Sequence, residues 1–147
     1  MDFAIVVNPI KHPDLVLIHL CDDEVCFWKK KPESKAQKIG HENLTLICDP
    51  ALTQSQKLIN DSKYKKLNIK RYLYSSNLEV IESLITSGTG IGILPSRVAT
   101  RRKDNKLVKL KEKLPTFKDK IYLVYRQDLQ KTKASRFIID TIKESIR

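Results

Sequence analysis

The sequence predicts an α/β fold. Short apolar runs suited to strands alternate along the chain with segments of helical periodicity, the order expected of largely parallel sheets. Its 147 residues, 41% of them hydrophobic, suffice to bury a core in one domain or two small lobes. The longest apolar run, Leu15 to Leu20, is far too short to span a bilayer.

The elements follow in order. Residues 3–8 read as a strand, and Asn8-Pro9 and His12-Pro-Asp14 as turn punctuation. Leu15–Leu20 and Val25–Lys29 are two apolar runs, with the acidic Asp22-Asp-Glu24 between them read as a solvated turn. Lys30–Lys38 is a polar lysine loop. Residues 44–48 form a short strand, which Asp49-Pro50 ends, and Thr53–Asp61 a modest helix. Asn68–Tyr74 alternates in the manner of a half-buried strand. The spacing predicts a helix over 77–87, with Leu78, Ile81, Leu84 and Ile85 on one apolar face. Ser76 and Glu79 have the Ser-x-x-Glu spacing of a capping box, and Gly88 is a left-handed stop. Ile91, Ile93 and Leu94 then form a covered strand ended by Pro95. Ser96–Arg102 continues as a short basic helix, and Leu107–Leu110 and Lys120–Arg126 are strands. Lys133–Ile146 is an amphipathic helix whose apolar positions are Phe137, Ile138, Ile142 and Ile146. No internal repeat or low-complexity linker interrupts this order.

Composition narrows the function classes. Net charge is +11, from 28 basic and 17 acidic residues, but the lysines are dispersed over four segments and aromatics are few. This favours a solvated lysine-rich surface over a nucleic-acid groove with stacking platforms. Cys21, Cys26 and Cys48 are odd in number and lack a Cys-x-x-Cys pair, as in a reduced cytoplasmic protein. Met1 is followed at once by Asp2, without the basic and apolar regions of a signal peptide. His12, His19 and His41 have no metal-ligand spacing, and no nucleophile–base set can be argued, so neither a metal, a cofactor nor an enzyme activity is expected. The glycines of Gly88-Thr-Gly90-Ile-Gly92 follow a helix and open a strand, the reverse of a dinucleotide-binding loop.

Three places combine structure with a possible ligand contact. Asn8 ends the first strand just before Pro9, and ligands in α/β folds collect outside the carboxyl ends of strands. Ser76 and Asn77 stand at a helix N-terminus, where free N–H groups and the helix dipole favour a carboxylate or other polar group. Asp49-Pro50-Ala51-Leu52-Thr53 lies between a strand and a helix that Thr53 can cap. Each also has a purely structural role open to it, as turn, cap or loop.

Ser76-Asn-Leu-Glu-Val-Ile followed by Gly88-Thr-Gly-Ile-Gly-Ile-Leu-Pro95 resembles the effector-binding domain of LysR-type transcriptional regulators. Asp2-Phe-Ala-Ile-Val-Val-Asn8, Glu42-Asn-Leu-Thr-Leu-Ile-Cys-Asp-Pro50, Ile121-Tyr-Leu-Val-Tyr-Arg126 and Ser135-Arg-Phe-Ile-Ile-Asp140 are similar to further segments of that family, in its order. The resemblance implies a two-lobed fold like that of type 2 periplasmic binding proteins. Residues 23–118 would form a complete second lobe, and 1–22 with 119–147 an incomplete first lobe. The family's opening strand–helix–strand–helix unit and its winged helix-turn-helix DNA reader have no counterpart here. The implied function is sensing of a small-molecule effector between the lobes, to modulate transcription. Asn8, Pro50, Ala51, Thr53, Ser76 and Asn77 are the implied effector contacts. DNA would be reached only through the missing reader, and no membrane partner is implied. A first lobe short of strands leaves an open sheet edge, so self-association is expected. The alternatives are a solute-binding protein of the related two-lobe class, against which the absent export signal argues, and a truncated regulator acting through protein contacts alone.

Overall fold

The computed structural model describes residues 2–33, 43–61, 67–104, 106–110 and 113–146. The Lys30–Lys38 loop of the sequence reading therefore lies largely outside the described residues. The chain divides into two compact units: Met1–Asp23 with Lys118–Arg147, and Glu24–Phe117. It passes between them within two strands, β2 (Leu15–Lys30) and β7 (Phe117–Arg126).

In the first unit the strand order is β1 (Phe3–Val7), β7, β2. β1 and β7 are antiparallel, with Phe3 opposite Tyr125 and Val7 opposite Ile121. Helix α4 (Lys133–Ile146) contributes Ile139 and Ile142 to a core with Leu123, Tyr125, Phe3 and Ile18. Thr132 opens this helix, its Oγ1 accepting from the Ser135 N–H at 3.1 Å. The expected apolar face is corrected here. Ile139 is 6% exposed, whereas Phe137 is 73% and Ile138 41% exposed. Ser135 and Ile139 are buried and Ile142 and Ile146 half-buried, so the inward stripe runs 135, 139, 142, 146 at helical spacing: Ile142 and Ile146 are as predicted, while Ser135 and Ile139 replace Phe137 and Ile138.

A second correction concerns Asp22-Asp-Glu24, which is no turn. The two apolar runs are one sixteen-residue strand, β2, with the acidic residues inside it. No glycine or proline interrupts Leu15–Lys30, and cations meet the charges. Asp22 pairs with Lys118 at 3.0 Å and hydrogen-bonds His19 at 2.8 Å, which together hold its carboxyl below the usual range. That contribution to stability is present at neutral pH and is lost as pH falls through the depressed value. Glu24 is paired with Lys109.

In the second unit the order is β2, β5 (Ile91–Pro95), β3 (Leu44–Cys48), β4 (Ile69–Tyr74), with β6 (Leu107–Lys109) on the other side of β2. β3 is parallel to both β4 and β5, while β2 is antiparallel to β5 and β6. The expectation of a largely parallel sheet thus holds only around β3. Helices α1 (Thr53–Asn60) and α2 (Leu78–Thr86) connect β3 to β4 and β4 to β5. α3 is a single turn, Ser96–Ala99, shorter than the helix predicted to Arg102. One core joins Phe27, Leu46, Leu58 and Ile93. The other joins Trp28, Ile47, Ile81, Ile85 and Leu94. Trp28 is buried, its indole N–H donating to the Leu94 carbonyl at 2.9 Å.

None of the three cysteines is in a disulfide; Cys26 and Cys48 are buried and Cys21 half-buried. Burial, and then the Asp49 charge, push the Cys48 thiol from the usual 9.0 to about 11. With dithionitrobenzoate at pH 8, Cys21 is expected to react first and Cys48 only after unfolding. Rapid native-state labelling of all three thiols would contradict the packing described.

Candidate functional site

The carboxyl ends of β3 and β4 lie side by side, with Cys48 opposite Tyr74 and the Ser75 N–H donating to the Cys48 carbonyl at 3.2 Å. The loops that leave these ends carry five of the six predicted contacts, Pro50, Ala51, Thr53, Ser76 and Asn77. The fold thus brings two sequence-distant segments to the carboxyl end of the parallel strands. This is where α/β folds collect ligands, because helix N-termini and loop amides converge there.

The first loop is built on Asp49. Its buried carboxylate accepts from the Ala51 N–H at 2.9 Å, closing a local turn that Pro50 enters. Gln56 reaches back to the Pro50 carbonyl at 3.0 Å. Thr53 does not cap α1, contrary to its predicted role. The N-cap is Leu52, which offers no side-chain acceptor, and Thr53 is the first helical residue. Having already turned on Asp49, the loop enters the helix one residue earlier than a threonine cap requires.

The second loop also departs from its predicted cap. Ser76 and Glu79 form no capping box. Asn77 is the N-cap, its Oδ1 accepting from the N–H groups of Glu79 at 2.8 Å and Val80 at 3.3 Å. The Ser75 hydroxyl accepts from the Asn77 N–H at 3.1 Å and holds the capping residue in place. Among the described residues, the Thr53 and Ser76 hydroxyls and the Asn77 side-chain NH2 make no hydrogen bond, and all three residues are exposed. They are polar groups free to meet a ligand. Asn77→Ala is expected to cost about 1 kcal/mol through the lost cap, and Ser76→Ala less than about 0.5 kcal/mol. Urea denaturation of both variants measures this, and equal losses would contradict the assignment of the cap.

Asn8 lies in the first unit and is used differently. It adopts φ 50°, a left-handed conformation that asparagine tolerates better than most residues. Its Nδ2 donates to the buried Asp119 at 2.8 Å, and its Oδ1 accepts from the Lys120 N–H at 2.8 Å. Both ends of the side-chain amide therefore hold the end of β1 to β7.

Sequence reasoning missed Glu82. Its carboxylate is 3% exposed and meets Arg101 at 3.0 Å and Arg102 at 3.0 Å, one guanidinium on each oxygen. Arg101 also pairs with Glu79 at 2.6 Å, and this partner leads the rise in its pKa. The pattern held a signal: positions 78, 81, 82 and 85 form one i, i+3, i+4, i+7 stripe, which places Glu82 on the inward face of α2. Among the described residues, no three His, Cys, Asp or Glu side chains could hold a metal ion, and no helix is long and apolar enough to cross a membrane.

A mixed α/β fold with polar loops at the carboxyl ends of parallel strands is a ligand-binding framework. The chain belongs to the LysR substrate binding domain family, whose model matches residues 1–147. Solved structures agree on the fold. The CrgA regulatory domain, of a LysR-type transcriptional regulator from Neisseria meningitidis, has a TM-score of 0.73 at 19% identity over 99% of this chain and 76% of that one. The regulatory domain of HypT from Salmonella typhimurium has a TM-score of 0.72 at 15% identity, covering 99% and 72%. The Synechocystis PCC6803 CcmR regulatory domain in complex with 2-PG has a TM-score of 0.69 at 18% identity, covering 99% and 74%. The chain spans about half of the full-length CrgA and HypT regulators, 52% of each. No curated protein sequence matches it. The fold is thus that of the type 2 periplasmic-binding-protein-like domains of LysR-type regulators.

Proposed function

We propose that this domain senses a small-molecule effector and, within a LysR-type regulator, couples its binding to transcription. The observation that carries the reading is the set of unpartnered polar groups of Thr53, Ser76 and Asn77 on loops gathered at the carboxyl ends of β3 and β4. The backbone of Pro50 and Ala51 completes this set within the second unit, and Asn8, in the first unit, is proposed as a separate contact. Relatives support the ligand class: the CcmR regulatory domain was solved with 2-PG and full-length LysG from Corynebacterium glutamicum with its effector Arg. The two compact units serve as the two lobes. The effector acts by favouring one conformation, and it can shift that equilibrium only by its differential affinity for the two states.

A thermal-shift screen of small polar metabolites tests this. A true effector raises the melting temperature in a saturable way, following mass action, and loses affinity at least tenfold in a Thr53→Ala/Ser76→Ala variant. A library without any such compound, or hits that bind the variant equally well, would sink the reading.

Self-association is the second element of the proposal. β1 pairs only with β7 among the described strands, leaving one edge open. Ile5 on that strand is 60% exposed, and Phe137 on α4 more so. Size-exclusion chromatography with light scattering is expected to give a discrete dimer or tetramer, and a monomer at high concentration would refute it.

A further inference from the structure

We propose that the opposite end of the second unit holds a separate pocket for a small organic or inorganic polyanion. This inference is independent of the effector reading. A cavity of about 490 Å³ opens where β3 and β5 begin and β2 ends, a volume within the usual range of small-molecule pockets. The antiparallel pairing of β2 with β5 sets Trp28 opposite Gly92, so the three lysines that follow, Lys29, Lys30 and Lys31, come to the start of β5.

The opposing wall is the Gly88-Thr89-Gly90 loop. Gly88 has φ 84° and closes α2: its N–H bonds the Ile85 carbonyl, and the Thr89 N–H the Leu84 carbonyl. Gly90 lies flat on β3, where an added Cβ would stand 2.3 Å from the Thr45 carbonyl oxygen. The loop thereby holds backbone against backbone and leaves the cavity open before it.

The charges are unbalanced. Lys30 is tied to Glu33 at 3.4 Å. Lys29 and Lys31 have no carboxylate partner among the described residues, and both line the cavity. The Thr45 hydroxyl, also in the lining, makes no hydrogen bond among those residues. Two unpaired ammonium groups with a free hydroxyl suit phosphate or carboxylate oxygens, since lysine offers a compact charge and three donors. The five residues of β3 separate this pocket from the loops at its carboxyl end by roughly 13–16 Å at ~3.3 Å per residue, so the two sites do not overlap.

The chain has only four glycines, so the amide signals of Gly88 and Gly90 are easily followed by NMR. Sodium pyrophosphate and sodium succinate are titrated separately, with sodium chloride at matched ionic strength as the control. Saturable shifts of Gly88 and Gly90 are expected with at least one of the two anions. Saturation by pyrophosphate alone assigns phosphate chemistry, and by both assigns anionic charge. Lys29→Gln/Lys31→Gln should weaken binding at least tenfold, while Lys70→Gln, which removes an exposed charge on β4, leaves it unchanged. Shifts that follow ionic strength without saturating would overturn the proposal. So would equal weakening by the Lys70→Gln control.

Discussion

Replacing Arg101 and Arg102 together by alanine is expected to destabilise the second unit by about 3–5 kcal/mol, because it strands the Glu82 carboxylate. Glu82 is 3% exposed and each of its oxygens has its own guanidinium. A buried charge without a counter-ion loses both its water and its compensation, whereas the half-exposed arginines can return to solvent when Glu82 is the residue removed. The two halves of the cluster are therefore unequal. Adding Glu82→Met to the double variant should recover most of the loss, since a buried ion cluster exchanged for apolar atoms is often neutral. Urea unfolding compares the three proteins. A double variant within about 1 kcal/mol of the parent would show that the cluster does not hold α2 to the segment after α3.

Gly90→Ala is expected to cost about 3 kcal/mol, the upper end for an overpacked site. The new methyl would stand 2.3 Å from the Thr45 carbonyl oxygen and 3.0 Å from the Thr45 Cβ. A backbone carbonyl cannot rotate aside. β3 is paired on both edges, with β4 and β5, so it cannot retreat without breaking a ladder. Gly88→Ala is the informative comparison. Its φ of 84° strains an alanine, which costs about 1–2 kcal/mol in the left-handed region, but its Cβ meets nothing closer than the Lys30 Cδ at 3.8 Å. If Gly90→Ala proved the milder of the two, the close approach of the glycine loop to β3 would be wrong.

Much of the second unit was legible in the sequence, for identifiable reasons. The helix at 78–86 announced itself by an apolar stripe, a left-handed glycine stop and a run of buried β-formers directly after it. Its end is legible because a left-handed stop needs a positive φ, which Gly88 adopts without a Cβ penalty. Its start was misread by one residue, because serine and asparagine are equally able caps and Ser75-Ser76-Asn77 offers all three in a row. The chain settles this by letting Ser75 hold Asn77. β2 was hidden for a different reason. Three consecutive acidic residues suggest solvent, and the distant Lys109 and Lys118, together with His19, help to make a strand there tolerable. Such pairings join residues some ninety positions apart and leave no local trace. The same limit concealed Asp119, whose burial is explained by an asparagine at the far end of the sequence. The family resemblance rested on ordered segments spread over the chain and was readable throughout. Which polar side chains remain unpartnered at the carboxyl ends of β3 and β4 was not, because it depends on the caps.

The most direct test is an amide NMR map of the chain with a saturating small-molecule hit from the thermal-shift screen. The account predicts that the largest shifts cluster in Ala51–Thr53 and Ser76–Leu78. Saturable shifts confined to other parts of the chain, with those two loops silent, would contradict it.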